Sequence, residues 1–235
     1  MNISMPSPSG TMEGPLTSEQ DKSGLSSESG RLTLTSIDLH NFLRTRRSIR
    51  RFKPDPIPES VIKSILTTAT YAPSAHHRQP WRFAVLSAPK AKTRLADAMA
   101  ADFRRDLEKD NVPENEIVAM IARSRSRIVS APLVVILCAD ACEMDIYPDT
   151  RRKKAEFIMT VQSVANTGMQ LLLAIHAEGL GAVWTCSPLF APEIVQSTLE
   201  LPKTWEPQAM FLIGYPIEIP AVRERKPLSE IMVFA

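Results

Sequence analysis

The sequence predicts an α+β fold in which a central mixed sheet is layered with helices, and three features of its 235 residues carry that expectation. Helix-like and strand-like segments alternate in the order α-α-β-α-α-β-α-β-α-β, the pattern of a sheet covered by helices. A continuous run rich in β-branched residues, Leu133 to Cys138, fits a central strand with both faces covered. The longest helical pattern, Lys154 to Glu178, is apolar almost all the way round between Gly168 and Ile175, so it must be buried on every side. A small single-sheet monomer offers little cover for such a helix, and the pattern predicts that part of it packs against a second subunit.

The elements follow from local signals. Met1 to Leu34 is rich in Ser, Gly, Pro and Thr, has no aromatic residue and shows no periodicity. That predicts a flexible tail over residues 1–36, ahead of a single domain over residues 37–235. Ser36 can cap a first helix carrying Ile37, Leu39, Phe42 and Leu43. Pro58 opens a second with Val61, Ile62, Ile65, Leu66 and Ala69 on one face. A strand is expected from Trp81 to Ser87, then helices starting at Pro89 and Pro113. After the long helix come a short strand from Gly181 to Cys186, a helix from Pro192 to Leu199 and a strand from Gln208 to Gly214.

Composition excludes several function classes. A formal net charge of +2 with interspersed signs leaves no nucleic-acid footprint, so any basic site is local. Cys138, Cys142 and Cys186 are too few and odd in number for a disulfide framework; buried free thiols are expected. No apolar run approaches the roughly 20 residues that span a bilayer, and no signal-peptide core opens the chain. A cytoplasmic protein without a membrane partner is the expectation. Neither G-x-G-x-x-G nor G-x-x-x-x-G-K-[ST] occurs, which removes a Rossmann turn and a P-loop.

Four clusters can carry chemistry. In Arg44-Thr45-Arg46-Arg47-Ser48-Ile49-Arg50-Arg51-Phe52, five arginines converge as a helix ends. Guanidinium forks beside a hydroxyl suit a phosphate, and a solvated helix end complementing the dipole is the plainer reading. Ala72-Pro73-Ser74-Ala75-His76-His77-Arg78-Gln79-Pro80-Trp81 gathers small, polar and aromatic groups in a turn. Its adjacent histidines lack a third ligand, so a loop hugging a flat ligand is expected and a metal is not. Gly181-Ala182-Val183-Trp184-Thr185-Cys186-Ser187-Pro188 leaves a strand through small residues and can present backbone N–H groups. Nothing pairs Cys186 with a base. Arg223-Glu224-Arg225-Lys226-Pro227 is a second basic cluster that could meet the first across the fold or be a charged tail.

These pieces in this order resemble the FMN-dependent nitroreductase family over about Asp38 to Ala235. RRSIRRF is similar to the family's N-terminal FMN motif, PSAHHRQPWRF to its P-S-x-x-x-x-Q-P-W loop, and RERKP to its C-terminal phosphate-binding tail. GLGAVWTCSPLF with LPKTWEPQAMFLIGYP further resembles the flavin reductase domain fused to a glutamate ligase in deazaflavin-coenzyme biosynthesis.

The resemblance implies an intertwined homodimer that binds FMN. It implies that Arg46 and Ser48 serve the phosphate or ribityl chain, with Arg47 a further cofactor-binding position, Arg50 the pyrimidine edge, and Arg223 and Arg225 a second phosphate clamp. Thr185 and Cys186 then border flavin N5 with their backbone, and Trp184 and Ser187 are cofactor-binding positions beside them. Ser74, Ala75 and His77 match loop positions that contact the flavin of the other subunit, and Pro73 and Gln79 are cofactor-binding positions in the same loop. NAD(P)H or another reductant would supply hydride, and a small conjugated acceptor, such as a dehydro precursor of the deazaflavin coenzyme, would take it. No side chain is nominated as general acid. A nitro or quinone reductase, a flavin-binding module without turnover and a ligand-free structural dimer remain open alternatives.

Overall fold

The computed structural model describes residues 34–234, so the tail expected over residues 1–36 lies, except for its last three positions, outside the described residues. Its elements follow the expected order: α1 (Ser36–Thr45), α2 (Glu59–Ala69), β1 (Trp81–Leu86), α3 (Pro89–Lys109), α4 (Glu114–Ser130), β2 (Leu133–Asp140), α5 (Thr150–Ala177), β3 (Gly181–Thr185), α6 (Pro192–Leu199) and β4 (Trp205–Gly214).

Ends differ where a side chain takes over the cap. Thr35, not Ser36, caps α1: Asp38 N donates to Thr35 Oγ1 at 3.2 Å and Thr35 N donates to Asp38 Oδ2 at 3.0 Å. The α5 helix starts four residues before Lys154 because Asp149 accepts from Arg152 N at 2.9 Å. The β4 strand starts at Trp205 rather than Gln208. Its register against β2 shifts between Leu137 and Cys138, and Pro207 is tolerated at that irregularity.

The sheet order is β1-β2-β4-β3, and every strand pair is antiparallel. The sheet is therefore antiparallel rather than mixed as expected, because neighbouring strands run back against one another; one isolated parallel bridge, Ser48 with Ala182, lies outside the named strands. All eight residues of β2 are buried. On one face, Val135, Leu137, Phe211 and Ile213 pack with Val164, Leu171 and Ile175 of α5 and with Ile65 and Ala69 of α2. On the other, Val134, Ile136, Met210 and Leu212 meet Leu95 and Met99 of α3, Ile128 of α4 and Val195 of α6.

Within one chain α5 is not buried on every side. Leu171, Ala174 and Ile175 are buried, while Phe157, Ile158 and Met169 remain 52%, 43% and 43% exposed. Apolar stripes on opposite sides of a helix cannot all face one sheet. By length and composition α5 also meets the requirement for a membrane-crossing helix, yet half of its most apolar window is buried as a core helix. The thiols differ from expectation too: only Cys138 is buried, whereas Cys142 and Cys186 follow strand ends and are exposed.

Candidate functional site

The first arginine cluster is placed by β3. At Arg46 the chain leaves the helix (φ −58°, ψ 134°) and runs extended beside that strand. Ile49 N donates to Ala182 O at 2.8 Å. Gly181 makes this approach possible, since a Cβ there would lie 2.7 Å from the Ile49 side chain. On its other side the segment holds the chain leaving β4: Lys53 N donates to Tyr215 O at 2.8 Å, Ile217 N to Arg51 O at 3.2 Å, and Arg51 pairs with Glu218 at 3.2 Å.

Two arginines of the cluster behave differently. Arg47 Nη1 donates to the carbonyls of Arg44 and Arg46 at 2.6 and 2.9 Å, closing the C-terminus of α1. Arg46 is half-buried, and its Nε is a buried donor without a partner. A buried donor of a charged group left unsatisfied is costly, so this atom calls for an acceptor. Ser48 and Arg50 are exposed. Arg46 and Arg47 also line a small cavity of about 140 Å³ with Thr45 and His176. There His176 stacks on Phe42 at 4.9 Å and its Nε2 lies 3.0 Å from Thr45 Oγ1. Burial, helped by the positive charges of Arg46 and Arg47, lowers the His176 pKa below its ordinary value.

The loop after α2 is held in an unusual shape. His76, His77 and Gln79 all adopt left-handed backbone, with φ of 50°, 55° and 50°. Strain of this kind costs about 1–3 kcal/mol per residue and persists only where the surroundings enforce it. Ala75 N donates to Ser163 Oγ at 3.1 Å and Asn166 Nδ2 to Pro73 O at 3.3 Å, tying the loop to α5. Gln79 N donates to Ser74 Oγ at 3.1 Å, and Gln79 Nε2 lies 2.8 Å from His77 Nε2. Arg78 pairs with Asp145, and Arg82 with Asp140 and Glu143 at the end of β2. Among the described residues, no three metal-ligating side chains converge.

Past β3, Cys186 and Ser187 open onto a cleft of about 660 Å³ whose other wall is α3, with Met99, Phe103 and Leu107. Thr185 Oγ1 donates to Met210 O at 3.2 Å and so faces the sheet. Trp184 packs edge-on against Phe211 at 5.0 Å and fills the space that Gly168 leaves on α5. Its ring serves the core. Arg223 and Arg225 lie on an exposed segment, Arg225 donating to the carbonyls of Arg223 and Glu224 at 3.0 and 3.3 Å. No hydrogen bond joins either to the first cluster among the described residues.

Sequence reasoning missed Ser163, Asn166 and His176. Ser163 and Asn166, at i and i+3, share one face of α5, but nothing in that spacing names the loop they hold.

Known proteins resolve what the geometry belongs to. The family model described as "Nitroreductase family" matches residues 43–215, which spans the arginine segment, the strained loop, α5 and all four strands. The chain belongs to the nitroreductase family. It is 29% identical over 226 residues to an NADH dehydrogenase of Thermus thermophilus, covering 86% of this chain and 98% of the relative. It is 30% identical over 213 residues to an iodotyrosine deiodinase of Haliscomenobacter hydrossis, covering 84% and 89%. The FMN-dependent nitroreductase of Mycobacterium smegmatis, solved in complex with NADPH, superposes with a TM-score of 0.63 at 21% identity, covering 84% of this chain and 97% of that one. As a family member, the chain is an oxidoreductase of the nitroreductase type.

Proposed function

We propose that the protein binds FMN and passes hydride from a reduced nicotinamide to a small conjugated acceptor, as a homodimer with active sites at the subunit interface. One observation carries the reading: Arg46, with Arg47 lining the same cavity, presents a buried, unpartnered Nε that a phosphate would satisfy. The M. smegmatis relative, named as FMN-dependent and solved with NADPH, supports cofactor and donor alike.

Bound FMN would supply the hydride exchange. The chain's part is to bind, orient and exclude water. Arg46, Arg47 and Ser48 would hold the phosphate end, with Arg50 beside the ring system. The backbone of Thr185, Cys186 and Ser187 would offer donors at the ring edge, where fixed N–H groups stabilise developing charge without reorganising. Pro73, Ser74, Ala75, His77 and Gln79, locked by Ser163 and Asn166, would meet the cofactor of the second subunit. Arg223 and Arg225 would complete the phosphate clamp once their segment is anchored. Exposed apolar residues support the dimer: Phe157 and Met169 on α5, and Val222, Ile231 and Phe234 on the C-terminal segment.

For the acceptor, the resemblance of GLGAVWTCSPLF favours a dehydro precursor of the deazaflavin coenzyme, with nitro and quinone compounds as the broader class. The test is spectroscopic: the purified protein is expected to be yellow, to bleach anaerobically with NAD(P)H and to recover its colour on adding the acceptor. A colourless protein that takes up no FMN contradicts the proposal.

A further inference from the structure

The cleft beside Cys186 and Ser187 does not end at α3. It shares Phe103 and Ser124 with a second opening of about 350 Å³, which Met120, Arg123 and Arg127 of α4 complete. The two chambers differ in charge. The nearer one has apolar walls, including Phe103 and Phe190, with Asp102 and Asp106 on one face of α3 and Asp110 just past its end. Arg105 and Lys109 pair with the first two of these carboxylates. The farther chamber carries two arginines and no carboxylate.

Those two arginines stand apart from their neighbours. Helices α3 and α4 hold six arginines, and four of them are spoken for: Arg94 by Glu200, Arg104 by Glu108 and Glu114, Arg105 by Asp102, and Arg125 by Asp97. Arg123 and Arg127 have no carboxylate or side-chain hydrogen-bond partner among the described residues. Spaced i and i+4, they lie on one face of α4 with the Ser124 hydroxyl beside them. Two free guanidinium forks and a hydroxyl at one opening match a phosphate group.

We propose that Arg123 and Arg127, with Ser124, hold a phosphate of the reduced nicotinamide dinucleotide, so that the cleft running from Cys186 past Phe103 to α4 is the donor's binding channel. This rests on the FMN reading above, which places the hydride-accepting ring at the Cys186 end. The channel's composition follows the donor's own: a flat ring against apolar walls, ribose hydroxyls that donate to carboxylates, and a phosphate at the basic end.

The test uses full-length, FMN-loaded protein and the non-reducing tetrahydro analogues of NADPH and NADH, titrated by calorimetry alongside anaerobic reduction by the natural donors. The double variant R123Q/R127Q is expected to weaken dinucleotide binding roughly tenfold to hundredfold, while FMN content and the limiting rate of flavin reduction hold. A loss confined to the NADPH analogue places the 2′-phosphate at the arginines; an equal loss for both places the pyrophosphate there. R125Q removes the same charge from the same helix outside the channel and is expected to change neither. Unchanged affinity in the double variant, or an equal loss in R125Q, overturns the donor site and leaves the FMN reading standing. A wild-type protein that binds FMN but is reduced by neither dinucleotide does the same. Failure of the wild type to bind FMN overturns both.

Discussion

The two arginine clusters are alike in sequence and opposite in structure. Residues 46–52 are fixed before any ligand arrives: β3 supplies a backbone partner, Gly181 the room, and the chain leaving β4 a second edge. Residues 223–225 belong to a segment that is exposed throughout, and Arg225 bonds only to its own stretch of backbone. The difference teaches where a binding site draws its precision. A preorganised cluster binds without an ordering cost, whereas an unanchored one must recover the entropy of becoming fixed from the ligand or a second subunit.

The comparison breaks most severely if the first cluster loses its support. Gly181→Ala pushes a methyl into Ile49, and overpacking of this kind costs about 1–3 kcal/mol. Thermal unfolding is expected at a lower temperature by several degrees, with reduced FMN content. Retention of both wild-type values would show that the segment is not held by this contact.

A smaller effect sharpens the same contrast between fixed and free groups among the cysteines. Burial pushes the Cys138 thiol up to about 12, while Cys142 and Cys186 are exposed. Because burial disfavours the charged form, the native Cys138 stays protonated at pH 8 and is a poor nucleophile. Iodoacetamide at that pH is expected to label Cys142 and Cys186 and to spare Cys138 until the protein unfolds, as read by mass spectrometry. Cys186→Ala should retain most activity, since only its backbone has a task; abolished turnover with FMN still bound would assign the thiol a role.

Much of the fold was legible because it rests on local patterns. The run at Leu133, the prolines at 58, 89, 113 and 192, and the apolar centre of α5 each announce an element with no tertiary knowledge. Register and partners were not. Antiparallel pairing of β2 and β4 depends on crossover paths, and the choice of Thr35 over Ser36 as cap depends on Asp38 reaching back. In the site, RRSIRRF and the Pro73–Gln79 loop could be read as motifs. What holds them could not, because Ser163, Asn166 and Gly181 act across long sequence separations. Trp184 shows the limit most clearly: its place beside Cys186 suggests a cofactor contact, and its ring is in fact committed to Gly168 and Phe211.

The central claim, that an unpartnered Arg46 and a distant Arg225 serve one phosphate, is tested most directly by titrating FMN and riboflavin into apo forms of the wild type, R46A, R225A and the double variant. Each single substitution is expected to weaken FMN by about 1.5–3 kcal/mol, the range for a hydrogen bond to a charged group. Arg46, being preorganised, should show the larger loss. The double variant should depart from additivity, because residues sharing one ligand group are coupled. Riboflavin, lacking the phosphate, should bind all four proteins with nearly equal weakness. Equal FMN affinity across the four, or a riboflavin loss matching that of FMN, would contradict the account.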